Sequence, residues 1–134
     1  MRDTDILIVD DMWDCLLVLR RMLERHGYAV RLAQSGPEAI EQIERRAPAV
    51  LMLDVMMPGM SGLEVLERLR ANSATARIPV ILVSGLIGDD DVLGGYQVGA
   101  DYYIIKPCTD QQVLRGIALV LGDKEAAEAA ERAA

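Results

Sequence analysis

The chain has no phenylalanine, one tryptophan, one histidine and two cysteines in 134 residues. Cys15 and Cys108 stand far apart, which gives no support to a disulfide scaffold or a thiolate metal centre. No apolar run approaches the roughly 20 residues that a bilayer-spanning helix requires, so membrane insertion is not expected. The opening Met1-Arg2-Asp3-Thr4-Asp5 leads into only four apolar residues before two acids, unlike a secretory signal. A reducing cytoplasm is the expected setting. Positive charge is scarce as well: 14 bases against 21 acids leave a net charge of −7. Direct nucleic-acid binding, which needs a basic face, is therefore not expected.

What the chain does have is apolar patterning. Hydrophobic residues make up 51% of it, enough at this length for one domain with a single core. Ile6-Leu7-Ile8-Val9, Val50-Leu51-Met52-Leu53 and Val80-Ile81-Leu82-Val83 read as strands buried on both faces. Tyr28 to Ala33 alternates as a strand should, and Asp101 to Ile105 reads as a fifth strand. Between them the period changes to that of a helix. Leu16, Leu17, Leu19, Met22 and Leu23 recur at helical spacing from Trp13 to Arg25, and Gly27 is a natural stop. Ser35-Gly36-Pro37-Glu38 caps a helix to about Arg46 that carries Ala39, Ile40 and Ile43 inward. Ser61-Gly62 precede a third helix with Leu63, Val65, Leu66 and Leu69 as its core stripe. The fourth, Gly88 to Val98, contains Gly94 and Gly95, each costing roughly 1 kcal/mol against alanine. It is expected to be the loosest helix. Thr109 and Gln112 have capping-box spacing and open a fifth helix through Val113, Leu114, Ile117, Val120 and Leu121. The domain is expected over 1–122, with the alanine-rich, charged stretch 123–134 a helical extension or the start of a linker.

Five alternations of strand and helix imply an α/β fold, a parallel sheet with helices on both faces and right-handed crossovers. Open sheets of this kind hold ligands at the carboxyl ends of their strands. Those ends carry Asp10-Asp11, Asp54, Ser84 and Lys106. Three carboxylates brought together repel, each pair about 4 Å apart costing on the order of 4 kcal/mol at an effective dielectric near 20. Lys106 offsets one charge, and a divalent cation would offset the deficit. Oxygen-only ligands favour magnesium or manganese. The same group suits phosphorylation of one carboxylate to an acyl phosphate, with metal and lysine stabilising the transferred oxygens.

Each residue also has a plainer reading. Asp10 or Asp11 alone suits a helix cap, and Asp11 and Asp14 both stand where the first helix begins. Ser84 suits a turn, Lys106 a solvated charge, and Asp89-Asp90-Asp91 a helix start. His26 reads as a helix-end residue, and Cys15 and Cys108 as buried small side chains. Taken singly these readings suffice; together they leave the clustering at separate strand ends unexplained.

Ile8-Val9-Asp10-Asp11, Asp54 with Met57-Pro58 and Gly62 after it, Ser84, Gly99-Ala100-Asp101 and Tyr103 three residues before Lys106-Pro107 form an ordered set. In that order they resemble the receiver domain of bacterial two-component response regulators, from roughly Asp5 to Leu121. The resemblance implies a doubly wound five-stranded sheet in the order 2-1-3-4-5, a flavodoxin-like three-layer sandwich. It implies that Asp54 accepts a phosphoryl group from a sensor histidine kinase or phosphotransfer protein. Asp10, Asp11, Asp54 and the Met56 backbone carbonyl would hold Mg2+, while Ser84 and Lys106 would contact the phosphoryl group. The Lys106-Pro107 bond is commonly cis in such proteins. The added charge and acceptor oxygens would draw Ser84 inward, and Tyr103 would rotate behind it to alter a surface read by a downstream protein, a linked output domain or a second copy.

The chain departs from the family at several places. Gly85 and Gly95 stand where alanine is usual, which suggests a loose switching segment. Tyr102 replaces a usual acid, and Cys108 stands where phenylalanine is common. A phosphorylation-controlled interaction module is the leading function, not an enzyme beyond self-phosphorylation and slow autodephosphorylation. The alternatives are a magnesium-dependent phosphohydrolase with an aspartyl-phosphate intermediate and a constitutive receiver-like scaffold. The hydrolase normally needs a second acid two residues past the nucleophile, where this chain has Met56.

Overall fold

The computed structural model of the chain describes residues 5–85 and 88–122. The expected extension 123–134 lies outside the described residues. Five strands, β1 (Asp5–Val9), β2 (Ala29–Ala33), β3 (Val50–Asp54), β4 (Val80–Ser84) and β5 (Tyr102–Ile105), alternate with five helices. These are α1 (Trp13–Arg25), α2 (Gly36–Arg45), α3 (Gly62–Ala71), α4 (Asp89–Val98) and α5 (Asp110–Val120). The strands form one parallel sheet in the order β2-β1-β3-β4-β5. The α/β fold and strand order expected from the sequence are therefore those found.

Strand side chains point alternately to the two faces, and this divides the core in two. Ile6, Ile8, Val50, Met52, Ile81, Val83 and Ile104 pack against α1 and α5, through residues such as Leu16, Leu23, Val113 and Ile117. Leu7, Val9, Leu51, Leu53, Val80, Leu82 and Tyr103 pack on the other face with Ala39, Ile43, Val65, Leu66 and Leu69 of α2 and α3. Burial on both faces is why the central strands read as continuous apolar runs.

Local chemistry sets the element ends. The Ser35 hydroxyl accepts from the Glu38 N–H, and Ser61 from that of Glu64. Thr109 and Gln112 bond reciprocally as a capping box. At α1 the expectation differs: the capping position is Met12, with no side-chain cap, so neither Asp11 nor Asp14 serves there. Cys15 and Cys108 are half-buried rather than buried. Both line a cavity of about 500 Å³ between α1 and the start of α5, walled by Val18, Leu19, Met22 and Val113. The small side chain at 108 is consistent with the bulk missing there.

Gly62 holds the β3–α3 connection close to the strand end. Its N–H donates to the Val55 carbonyl at 2.9 Å, and a Cβ there would collide with the Asp54 carbonyl oxygen. The colliding atoms are backbone and cannot rotate aside. Around Gly94, in α4, a Cβ meets nothing within 4 Å. Gly62→Ala should therefore destabilise the protein by about 2–3 kcal/mol or more, whereas Gly94→Ala should stabilise it by roughly 0.5–1 kcal/mol. Urea unfolding of the two variants beside wild type checks both signs.

Candidate functional site

The register of the sheet brings the acids together. Ile8 pairs with Met52 across β1 and β3, so Asp10 and Asp54, two residues further along each strand, emerge side by side on the α1/α5 face. Ile104 of β5 shares that face, and Lys106 lies two residues beyond it. Asp10, Asp11 and Asp54 each offer an oxygen within 4.8 Å of the others. The Lys106 side chain reaches past the end of β4 to this group. Its Nζ donates to Asp10 Oδ2 at 2.7 Å and lies 3.7 Å from Asp54 Oδ2.

Burial makes the charges matter. Asp10 is 2% exposed and Asp54 7%. Asp10 Oδ1 accepts the Met12 N–H at 2.9 Å, so both its oxygens are engaged. Among the described residues, Asp54 Oδ1 accepts only the longer Met56 N–H, at 3.3 Å. Burial raises the Asp54 carboxyl to a pKa of about 6; Lys106 pulls it down, and Asp10 and Asp11 push it up further. Burial would lower the Lys106 pKa, but the hydrogen bond to Asp10 and the charges of Asp54 and Asp10 outweigh that and raise it. Lys106 therefore stays charged, and Asp54 is the least satisfied carboxylate of the pair it faces.

Ser84 ends β4 and is fully buried, while Tyr103 on β5 is 9% exposed. Leu82 pairs with Tyr103 in the sheet, and Ser84 lies two residues on, so Ser84 and Tyr103 share the face opposite the acids. Tyr103 is therefore part of the core rather than an aromatic exposed at the edge of the sheet. Lys106 N–H donates to the Ser84 carbonyl at 2.8 Å, and the Lys106-Pro107 bond is cis. The Met56 side chain is 63% exposed, and its backbone N–H is the group bonded to Asp54. Sequence reasoning missed the Met12 amide at Asp10. It also missed Tyr96, whose phenolic oxygen accepts the Tyr103 N–H at 3.1 Å. A tyrosine seven residues before Tyr103 was a weak signal, because only the fold shows that the two meet.

The donor set fits a hard divalent cation. Three carboxylates supply oxygen alone, and magnesium accepts such ligands while keeping several waters. They carry more negative charge than Lys106 balances.

The raised pKa of Asp54 has a consequence for stability. A carboxyl whose folded pKa lies above its unfolded value near 3.8 favours the folded state while protonated; that gain is present below pH 4 and lost as pH rises through about 6. The loss is on the order of 2–3 kcal/mol. In metal-free buffer Asp54→Asn should be more stable than wild type at pH 8, and the two should converge near pH 4. Denaturation midpoints across that range check the sign.

The response regulator receiver domain model matches residues 6–118 of the chain. The sensory transduction protein RegX3 of Mycolicibacterium smegmatis is 35% identical over 118 residues, covering 88% of this chain and 50% of that protein. Protein PilH of Pseudomonas aeruginosa is 34% identical over 116 residues, covering 87% of this chain and 96% of PilH. The chain thus spans half of RegX3 and nearly all of PilH. Among solved structures, a putative response regulator from Chloroflexus aurantiacus superposes with a TM-score of 0.86 at 30% identity, covering 90% of this chain and 99% of that one. The chemotaxis protein CheY4 of Vibrio cholerae gives 0.84 at 27% identity, covering 90% and 100%. Sheet order, acidic rim and these matches agree: the chain belongs to the response regulator receiver domain family.

Proposed function

We propose that the protein is a phosphorylation-dependent signalling switch in which Asp54 is the acceptor. The reading rests on one observation above all: Asp54, with a spare oxygen, lies within 4.8 Å of two further carboxylates and 3.7 Å from Lys106 Nζ. An Asp54 oxygen attacks phosphorus, the bond from phosphorus to the donor nitrogen or oxygen breaks, and the donor leaves with the electron pair. The donor is a sensor histidine kinase or phosphotransfer protein in the cytoplasm. Lys106 offsets negative charge on the transferred oxygens, and the Ser84 hydroxyl donates to one of them. Asp10, Asp11, Asp54 and the Met56 carbonyl would hold Mg2+, which supplies further positive charge at those oxygens.

Receiver domains are signalling modules rather than enzymes, and the residues here suit a slow switch. Met56 stands where a hydrolase places its second acid, so the acyl phosphate turns over slowly by autodephosphorylation. The new charge draws Ser84 toward the phosphoryl group, and Tyr103 follows on the shared face. The altered surface is read by a downstream protein, a linked output domain or a second copy of the chain.

Incubation with acetyl phosphate and magnesium should add one phosphoryl group to wild type, read by intact mass, and none to Asp54→Asn or Asp54→Ala. Modification of those variants to the same extent would overturn the assignment of Asp54. Magnesium at millimolar concentration should raise the thermal midpoint of wild type by a few degrees, because it binds the folded state. Asp11→Ala should lose most of that rise; an undiminished rise would remove Asp11 from the ligand set.

A further inference from the structure

Gly95 looks like a defect in α4. Its backbone is ordinary helix without a positive φ, so no turn or strained conformation calls for glycine. Glycine in a helix interior costs roughly 1 kcal/mol against alanine. The compensation is space. A Cβ at Gly95 would lie 2.8 Å from Leu82 Cδ1 and 3.1 and 3.3 Å from Tyr103 Cδ2 and Cε2. The Leu82 side chain and the Tyr103 ring together therefore occupy room that a side chain at 95 would take. Neighbouring Gly94 has nothing within 4 Å of the same position, so the tight fit belongs to 95 alone of the pair.

The next residue holds the backbone of the same tyrosine. Tyr96 lends its phenolic oxygen to the Tyr103 N–H at 3.1 Å. Consecutive residues of α4 thus hold the ring of Tyr103 and its main chain. The glycine pair that suggested a loose segment builds a fitted seat at one of its two members.

We infer that Gly95 and Tyr96 are positioning residues for the switch: they form a two-point seat that favours the buried ring of Tyr103. This rests on the function proposed above, in which the buried ring accompanies Ser84 drawn toward the phosphoryl group. Tyr103 and Ser84 share one face at neighbouring strand ends, so the ring's occupancy of its seat and the serine's position bias each other. A residue that fills the seat lowers the population of the phosphoryl-binding arrangement. Apparent affinity for a phosphoryl mimic falls by the same factor.

The experiment uses the full chain with beryllium fluoride and magnesium as the mimic, and reads Tyr103 by NMR. Gly95→Leu should move the ring toward solvent, seen as stronger relaxation by a soluble paramagnet, and Gly95→Ala, which asks only a few tenths of an ångström of the ring, should move it in the same direction by less. They should also weaken beryllium fluoride binding, by at least about 5-fold for Gly95→Leu. Tyr96→Phe should speed exchange of the Tyr103 amide about 10-fold or more. Gly94→Ala should change neither ring exposure nor affinity, which separates the seat from general helix stability. A ring that stays buried in both Gly95 variants overturns the inference, as does an equal shift in Gly94→Ala. If Gly95→Leu fails to fold, Gly95→Ala decides. Failure of wild type to bind beryllium fluoride would count against phosphoryl acceptance, and the ring and amide measurements would still judge the seat.

Discussion

Two carboxylates on adjacent buried strands govern this molecule. Asp10 and Asp54 are neighbours because β1 and β3 pair in parallel with Ile8 opposite Met52, and no side-chain rotation takes them far apart. Charges that close, in so little water, repel strongly. The fold accommodates them with a lysine just past the end of β5, the strand at the far edge of the sheet. Asp10 receives its hydrogen bond and a backbone amide, while Asp54 receives the weaker share and keeps a raised pKa. The asymmetry matters chemically. A carboxylate saturated with donors is a poor nucleophile and a good anchor, and an under-satisfied one is the reverse.

The backbone around the strand ends serves that asymmetry. Gly62 lets the first turn of α3 lie against the Asp54 main chain, and the Ser61 cap fixes where the helix starts. With the β3–α3 link pinned, Asp54 has little freedom to withdraw from its neighbours. The clustered charge is thus held in place by sterics rather than relieved by movement.

Much of this was legible in the chain. Apolar runs that stop on a polar residue marked the strands and the rim together, and cap chemistry at Ser35, Ser61 and Thr109 marked three helix starts. What escaped notice depended on contacts between residues distant in sequence. Nothing local says that Lys106 bonds more closely to Asp10 than to Asp54, since that follows from its reach across β4. Asp11 had the chemistry of a cap, but the helix begins at Trp13 with Met12 before it, leaving Asp11 at the acidic rim. The sequence carried no sign of the close packing at Gly95. Helix propensity counts the glycine as a loss, whereas the ring of Tyr103 fills the space and leaves that residue buried.

The alternation of strand side chains also separates the charged cluster from Ser84 and Tyr103, the pair proposed to switch. Asp10, Asp54 and Lys106 follow the register of the α1/α5 face, whereas Ser84, Leu82 and Tyr103 belong to the opposite one. In the proposed switch, a change at the carboxylates reaches α4 through Ser84 at the end of β4. The backbone supplies a crossing: the Lys106 N–H donates to the Ser84 carbonyl at 2.8 Å, so the residue that balances the acids is tied to the residue that leads toward Tyr103. That bond joins the two strand ends directly. The proposed coupling needs no long pathway, because β4 and β5 are neighbours in the sheet.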